Sequence, residues 1–275
     1  MKQISLVLVA MLAMMTSFAQ NDTTSNKMSF KLGINYHSSL HYFGRTDSLK
    51  SSGLFPMAEI WFTEELYINA APVFVNNAMQ RFDYAGSVTS IGYLKVSPSS
   101  VTNIYLLKPF YEKSSILVQS LLKAQGGASI SFLNKVVNIT AGADTKITDR
   151  IDFGATAGLD HIFKQPGKGN SVLVFNPSLY VYAGTQQFTR SASKNGTAFP
   201  LLPPQQEIVT QRIRQFNVLA YEASLPIIYV RGKWMAVLTP SFVSPQNLIR
   251  IEGRPDLSEQ GRSMLYGTLG LKHSF

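Results

Sequence analysis

Apolar and polar residues alternate one by one through most of this chain, and few folds accommodate that pattern. Val137, Ile139, Ala141 and Ala143 fall on one side, and Asn138, Thr140, Gly142, Asp144 and Lys146 on the other. After Thr148-Asp149 the alternation resumes. Ile151, Phe153, Ala155, Ala157 and Leu159 now oppose Asp152, Gly154, Thr156, Gly158 and Asp160. A period of two puts successive side chains on opposite faces of a β-strand. The same period returns in 28–37, 173–186, 219–229 and 265–275. Such runs last about 10 residues, whereas strands of soluble domains cluster near 5–6. A tilted strand that crosses a bilayer needs about 9–11.

The second face is polar, glycine-rich and sparsely charged, which suits the interior of a barrel. Tyr36, Trp61, Phe62, Tyr67, Tyr229, Trp234, Phe242 and Phe275 sit near run ends, where interfacial aromatics belong. A soluble β-sandwich also alternates, but run length, small strand residues and the lack of cysteine argue against it. The expected fold is all-β, a transmembrane antiparallel β-barrel of about 12 strands. The strands are expected at 27–37, 53–62, 66–77, 86–95, 101–108, 126–133, 135–146, 150–163, 171–189, 208–230, 234–243 and 263–275. The count falls to ten if 101–108 and 126–133 are misread. Ile116, Leu117, Ser120, Leu121 and Ala124 have helical spacing, so one short helix is expected near 114–124. Short connections at 63–65, 165–170 and 231–233 alternate with long polar segments at 38–52, 78–85, 190–207 and 244–261. The segments 171–189 and 208–230 read as a hairpin reaching beyond the membrane around the Pro-rich tip 199–204.

The N-terminus carries Lys2, an apolar run from Ile4 to Met15, then Ser17 and Ala19. That is the layout of a secretory signal peptide cleaved after Ala19. Residues 1–19 are therefore expected to be the signal and 20–275 the barrel domain. The apolar run is too short for a spanning helix, which needs roughly 20 residues. With 45% hydrophobic residues the chain is not disordered. With no cysteine it has no disulfide, thiolate ligand or N-terminal lipid.

The chain ends in an alternating run from Leu265 to Phe275. This run resembles the assembly signal of Gram-negative outer-membrane β-barrel proteins. Ala58–Phe62 with Leu66–Asn69, Lys108–Tyr111, Phe153–Asp160 and Leu238–Leu248 extend the resemblance to a poorly characterised set of such barrels in Bacteroidota. The resemblance implies an outer-membrane location and a terminal signal carried by Leu269, Leu271 and Phe275. His273 departs from it, standing where an apolar residue is usual. Implied partners are outer-membrane lipid and lipopolysaccharide, the barrel assembly machinery, and other outer-membrane or secretion proteins.

Motifs for chemistry are sparse. There is no phosphate-binding glycine loop, no metal-ligand spacing and no cofactor motif. His37-Ser38 lacks the His-x-Ser spacing of outer-membrane phospholipases, and His41, His161 and His273 stand alone. The remaining feature is charge. Lys31, Glu59, Asp144, Lys146, Asp152, Asp160, Glu222 and Lys272 all fall on the polar face, where they would form a lumen charge network or line a passage. The net charge is +9, but its lysines and arginines are scattered, so no nucleic-acid partner is expected. Arg45, Lys50, Arg81, Arg190, Lys194, Arg250, Arg254 and Arg262 are expected on outer loops, either facing phosphorylated lipid head groups or as ordinary solvated loop charge. The expected function is non-enzymatic: a narrow or plugged pore or scaffold with partner-binding loops. The alternatives are a subunit of a larger export or uptake complex and a lipid-modifying hydrolase.

Overall fold

The structure is a computed structural model, which describes residues 28–46, 49–112, 122–185, 215–250 and 258–275. Twelve antiparallel strands close into one barrel. They are β1 (Ser29–His37), β2 (Ser52–Trp61), β3 (Leu66–Asn76), β4 (Asp83–Val96), β5 (Ser100–Tyr111) and β6 (Ala124–Phe132). Then come β7 (Asn138–Ile147), β8 (Ile151–Asp160 with Phe163–Pro166), β9 (Ser171–Phe175 with Ser178–Gly184) and β10 (Asn217–Ser224 with Ile227–Arg231). The last two are β11 (Trp234–Pro245) and β12 (Met264–Ser274). Pro177 and Pro226 fall in the breaks of β9 and β10. Each lacks the N–H that a ladder position must donate.

The barrel is sealed where β12 pairs with both β11 and β1, as in Ile34↔Leu271 and Val237↔Gly270. Closure leaves no strand edge, so every ladder group finds a partner without water. The outer face is apolar: Leu106 is 56% exposed, Leu179 62% and Leu265 80%. The inward face holds the buried polar residues Glu59, Asn138, Thr140, Lys146, Asp152 and Asp160. This inside-out distribution is what a surrounding bilayer stabilises. Among the described residues no helix is long and apolar enough to cross a membrane.

Both expected strands in doubt, 101–108 and 126–133, are present as β5 and β6, so the count is twelve rather than ten. The signal peptide, the tip 199–204 and most of 114–124 lie outside the described residues; Ala124 opens β6. Two β-bulges shift the ladder from strict alternation. One sits between Val73 and Phe74, opposite Gly86, whose φ of 148° only glycine adopts readily. It lets β4 begin at Asp83, three residues earlier than alternation suggests. The second, at Tyr182/Ala183, brings Leu219 to the inside. Alternation assigns Leu219 to the outer face, yet it is 2% exposed.

The short connections at 62–65, 97–99, 167–170 and 232–233 lie at the same end as Ser29 and the C-terminus. The opposite, loop end carries 38–51, 77–82, 185–216 and 246–263. One connection there is also short, the turn 148–150. Residues 40–46 of the first of these connections do not stay outside.

Candidate functional site

Within 38–51, His41–Tyr42 and Arg45–Thr46 form a small hairpin. Its two-residue loop is Phe43-Gly44, with φ of 51° and 76°. Positive φ at both positions is the tight turn whose twist suits a two-residue hairpin. The hairpin folds into the barrel mouth and touches opposite walls. Leu40 packs against the buried cluster Val73, Val75 and Ala85, with Phe55, Val88 and Tyr111 around it. Across the lumen, the Phe43 ring lies 4.7 Å from that of Tyr182 on β9. Gly44 seats on Pro245 of β11, where an added Cβ would lie 2.8 Å from the proline Cδ.

Arg45 fixes the hairpin. Its Nε donates to Glu259 Oε2 at 3.1 Å, its Nη1 to Leu219 O at 3.1 Å and Phe43 O at 3.3 Å, and its Nη2 to Gln246 O at 3.0 Å. The planar guanidinium presents several fixed donors, which suits it to this clasp of carbonyls and one carboxylate. Arg45 is 2% exposed, so its assignment to external lipid head groups is corrected. Four donors satisfied inside the mouth hold it there. Lys50, Arg81, Arg250 and Arg262 are exposed, and Arg190, Lys194 and Arg254 lie outside the described residues.

Main-chain bonds add to the clasp, from Thr46 N to Gln260 O at 2.9 Å and from Leu40 N to Ser51 O at 2.7 Å. His41 Nδ1 accepts from Gly44 N at 3.2 Å, and the His41 ring lies edge-on to Tyr266 at 4.4 Å. Burial, then the neighbouring His37, push the His41 imidazole down to about 4. Burial, helped by Asp144 and Asp152, pushes the Tyr42 hydroxyl well above its ordinary value, so it stays protonated.

The eight lumen charges fall into separate groups. Lys146 pairs with Asp144, and its ammonium also faces the rings of Tyr42 and Phe43 at 5.8 and 5.9 Å. Asp152 accepts from the Thr185 hydroxyl. Asp160 accepts from Asn138 Nδ2 at 2.8 Å, and Glu222 shares a hydrogen bond with Tyr266. Near the terminal end, Lys272 Nζ lies 2.7 Å from Glu59 Oε1, while Trp61 Nε1 donates to Glu59 Oε2 at 3.1 Å. Lys31, directly opposite Glu59 in the ladder, lies 4.0 Å over the Trp61 ring.

Leu269, Leu271 and Phe275, expected to carry a terminal signal, face outward and are 55%, 45% and 55% exposed. Phe275 N donates to Phe30 O at 2.9 Å, tying the chain end to β1. His273 sits edge-on to Trp234 and Phe275 at 4.5 Å each, so on the outer face it joins an aromatic row. His161 Nδ1 is 2.6 Å from Val136 O, and His37 packs on Phe55 at 4.9 Å. Among the described residues no cluster of three or more His, Cys, Asp or Glu could hold a metal.

Alternation gives no sign of the hairpin. Phe43-Gly44 is not one of the usual turn pairs, and Arg45 gains its partners only from Leu219, Gln246 and Glu259, far along the chain.

No protein-family model matches the chain, and no curated protein matches it in sequence. Solved structures of similar form are outer-membrane barrels. An outer membrane channel from Pseudomonas putida F1 is 8% identical, with 94% of this chain and 98% of that one covered and a TM-score of 0.46. LpxR from Salmonella typhimurium is 9% identical, over 88% and 99% of the two chains, with a TM-score of 0.45. The NanC porin is 9% identical, over 89% and 98%, with a TM-score of 0.44.

Proposed function

We propose that this chain is a non-enzymatic outer-membrane β-barrel whose lumen is a narrow passage, held shut at the loop end by the 41–46 hairpin. The observation that carries this is the position of Arg45: a buried guanidinium with four hydrogen bonds inside the mouth, clasping Leu219 of β10, Gln246 and Glu259. An apolar outer belt around a polar interior supports the membrane setting. Twelve strands enclose moderate space, since roughly eight are filled by side chains and 16–18 leave an open channel. A hairpin that bridges the walls is enough to close such a bore.

The test is single-channel recording of purified protein in planar bilayers. Wild type should show little or infrequent conductance. Replacing 40–46 by a short Gly-Ser link should give a larger and more frequent one. Equal conductance of the two proteins would overturn the plugged-passage reading.

A further inference from the structure

The terminal-end wall of the lumen carries two ammonium groups and one carboxylate. Lys31 and Lys272 stand on adjacent strands as diagonal neighbours, since Lys272 pairs with Gly33 and Lys31 with Ser274. Diagonal side chains of antiparallel strands start roughly 7–8 Å apart. Both lean to Glu59 on β2. Its Oε1 accepts from Lys272 and its Oε2 from the Trp61 indole. Lys31 is left with the face of the Trp61 ring at 4.0 Å and has no hydrogen-bond acceptor among the described residues. An ammonium has three donors, and a π-face satisfies none of them as a lone pair would.

The inward neighbours of this wall are neutral. They are Tyr67, stacked on Trp61 at 4.7 Å, and Asn69, whose Oδ1 accepts from Ser90. Across the lumen, on β8, the carboxylate Asp160 accepts from the neutral Asn138 side chain.

We infer that Lys31 and Lys272 form a binding site for a small oxyanion of the carboxylate or sulfate type, reached from the terminal end of the lumen. The donors of Lys31 and the spare donors of Lys272 lie on one wall, as diagonal neighbours beside Glu59. An oxyanion offers several acceptor atoms to span them, which a spherical halide does not. The Trp61 ring and the Glu59 bridge hold both ammonium groups in place, so little side-chain entropy is lost on binding. The site names the class of solute for the passage proposed above and rests on that reading only for its route, not for the binding itself.

Tryptophan fluorescence can report on it directly. The chain has two tryptophans, and Trp234 faces outward. Trp234→Phe leaves Trp61, beside the site, as the sole reporter. Titration of this variant in detergent with sodium acetate or sodium sulfate at constant ionic strength should give a saturable change. Adding Lys31→Gln should weaken the apparent affinity at least tenfold, while Lys31→Arg should largely keep it. Heat-dependent gel mobility confirms that each variant is a folded barrel. A linear, non-saturating response, equal affinity for chloride, or no effect of Lys31→Gln would overturn the inference. Saturable binding in a protein that never conducts would sustain the site and overturn the passage.

Discussion

Arg45 and Glu259 meet inside the barrel mouth, Nε to Oε2 at 3.1 Å, with side chains 3% and 5% exposed. They are 214 residues apart in sequence, and the contact joins the first loop-end segment to the last. Glu259 Oε2 also accepts from Ile249 N at 2.9 Å, so one carboxylate ties Arg45 to the 246–259 loop. Breaking a buried pair by removing one partner costs about 3–5 kcal/mol, because the other charge is left unsatisfied. Arg45→Ala and Glu259→Ala should each release the hairpin and raise channel activity. Glu259→Gln, which keeps an acceptor oxygen, should have a smaller effect. Single-channel recording checks the order, and an Arg45→Ala protein as quiet as wild type would contradict it.

Gly44 provides a second handle on the same hairpin. At φ 76° a residue with a side chain is strained, and its Cβ would press on Pro245 Cδ at 2.8 Å. A non-glycine residue in this region costs on the order of 1–3 kcal/mol. Gly44→Val should therefore undock the turn. The chain has no cysteine, so Phe43→Cys supplies a unique thiol at the buried turn. A membrane-impermeant maleimide should label Phe43→Cys slowly, and the double variant with Gly44→Val several-fold faster. Adding Pro245→Ala removes the contact but not the φ strain and should restore protection only in part.

These two residues also show where the sequence stops being informative. Alternation is a local property fixed by the pleat, so it sets Asp144, Lys146, Asp152 and Asp160 on one face of their strands and counts the strands. It fails where an extra residue enters a strand, which is why Leu219 turns inward and β4 starts at Asp83. It is silent on a loop's destination. Nothing near Arg45 in the chain signals that its partners are Leu219, Gln246 and Glu259. A charged loop residue reads as solvated or lipid-facing unless the three-dimensional fold brings carbonyls to it.

Acid should loosen the hairpin. His41 is on the hairpin, outside the spanning strands, and burial followed by the charge of His37 lowers its imidazole to about 4. Its neutral Nδ1 accepts the Gly44 N–H, and protonation would remove that acceptor. Tyr266 faces it edge-on, with Glu222 behind Tyr266. A histidine with its docked value depressed binds fewer protons than one in water at 6.5. The docked form is therefore fully stabilised above pH 6.5 and loses stability as pH falls toward 4, by up to about 3 kcal/mol. Channel activity should rise over that window and stay flat above it. His41→Gln should flatten the profile. A rise in activity on going alkaline from pH 6.5 would refute the assignment.

Lys146 and Asp144 test whether the lumen charges hold the barrel together or merely line it. Their side chains are 6% and 15% exposed, so water screens the pair poorly. Lys146→Met leaves Asp144 with only a long contact from Gln125 Nε2 at 3.5 Å. Asp144→Asn leaves Lys146 with Asp152 opposite it in the ladder and with the Tyr42 and Phe43 rings near 6 Å, partial substitutes for the lost carboxylate. Lys146→Met should therefore destabilise the barrel by about 3–5 kcal/mol, and Asp144→Asn by less. Removing both charges, as Asp144→Leu with Lys146→Met, should recover part of the loss, because Asp144 is no longer left uncompensated while Asp152 still loses the cation opposite it in the ladder. The temperature at which the unboiled, fast-running gel form converts to the unfolded form measures each effect. If the double variant melts below both single variants, the pair acts through packing rather than charge compensation.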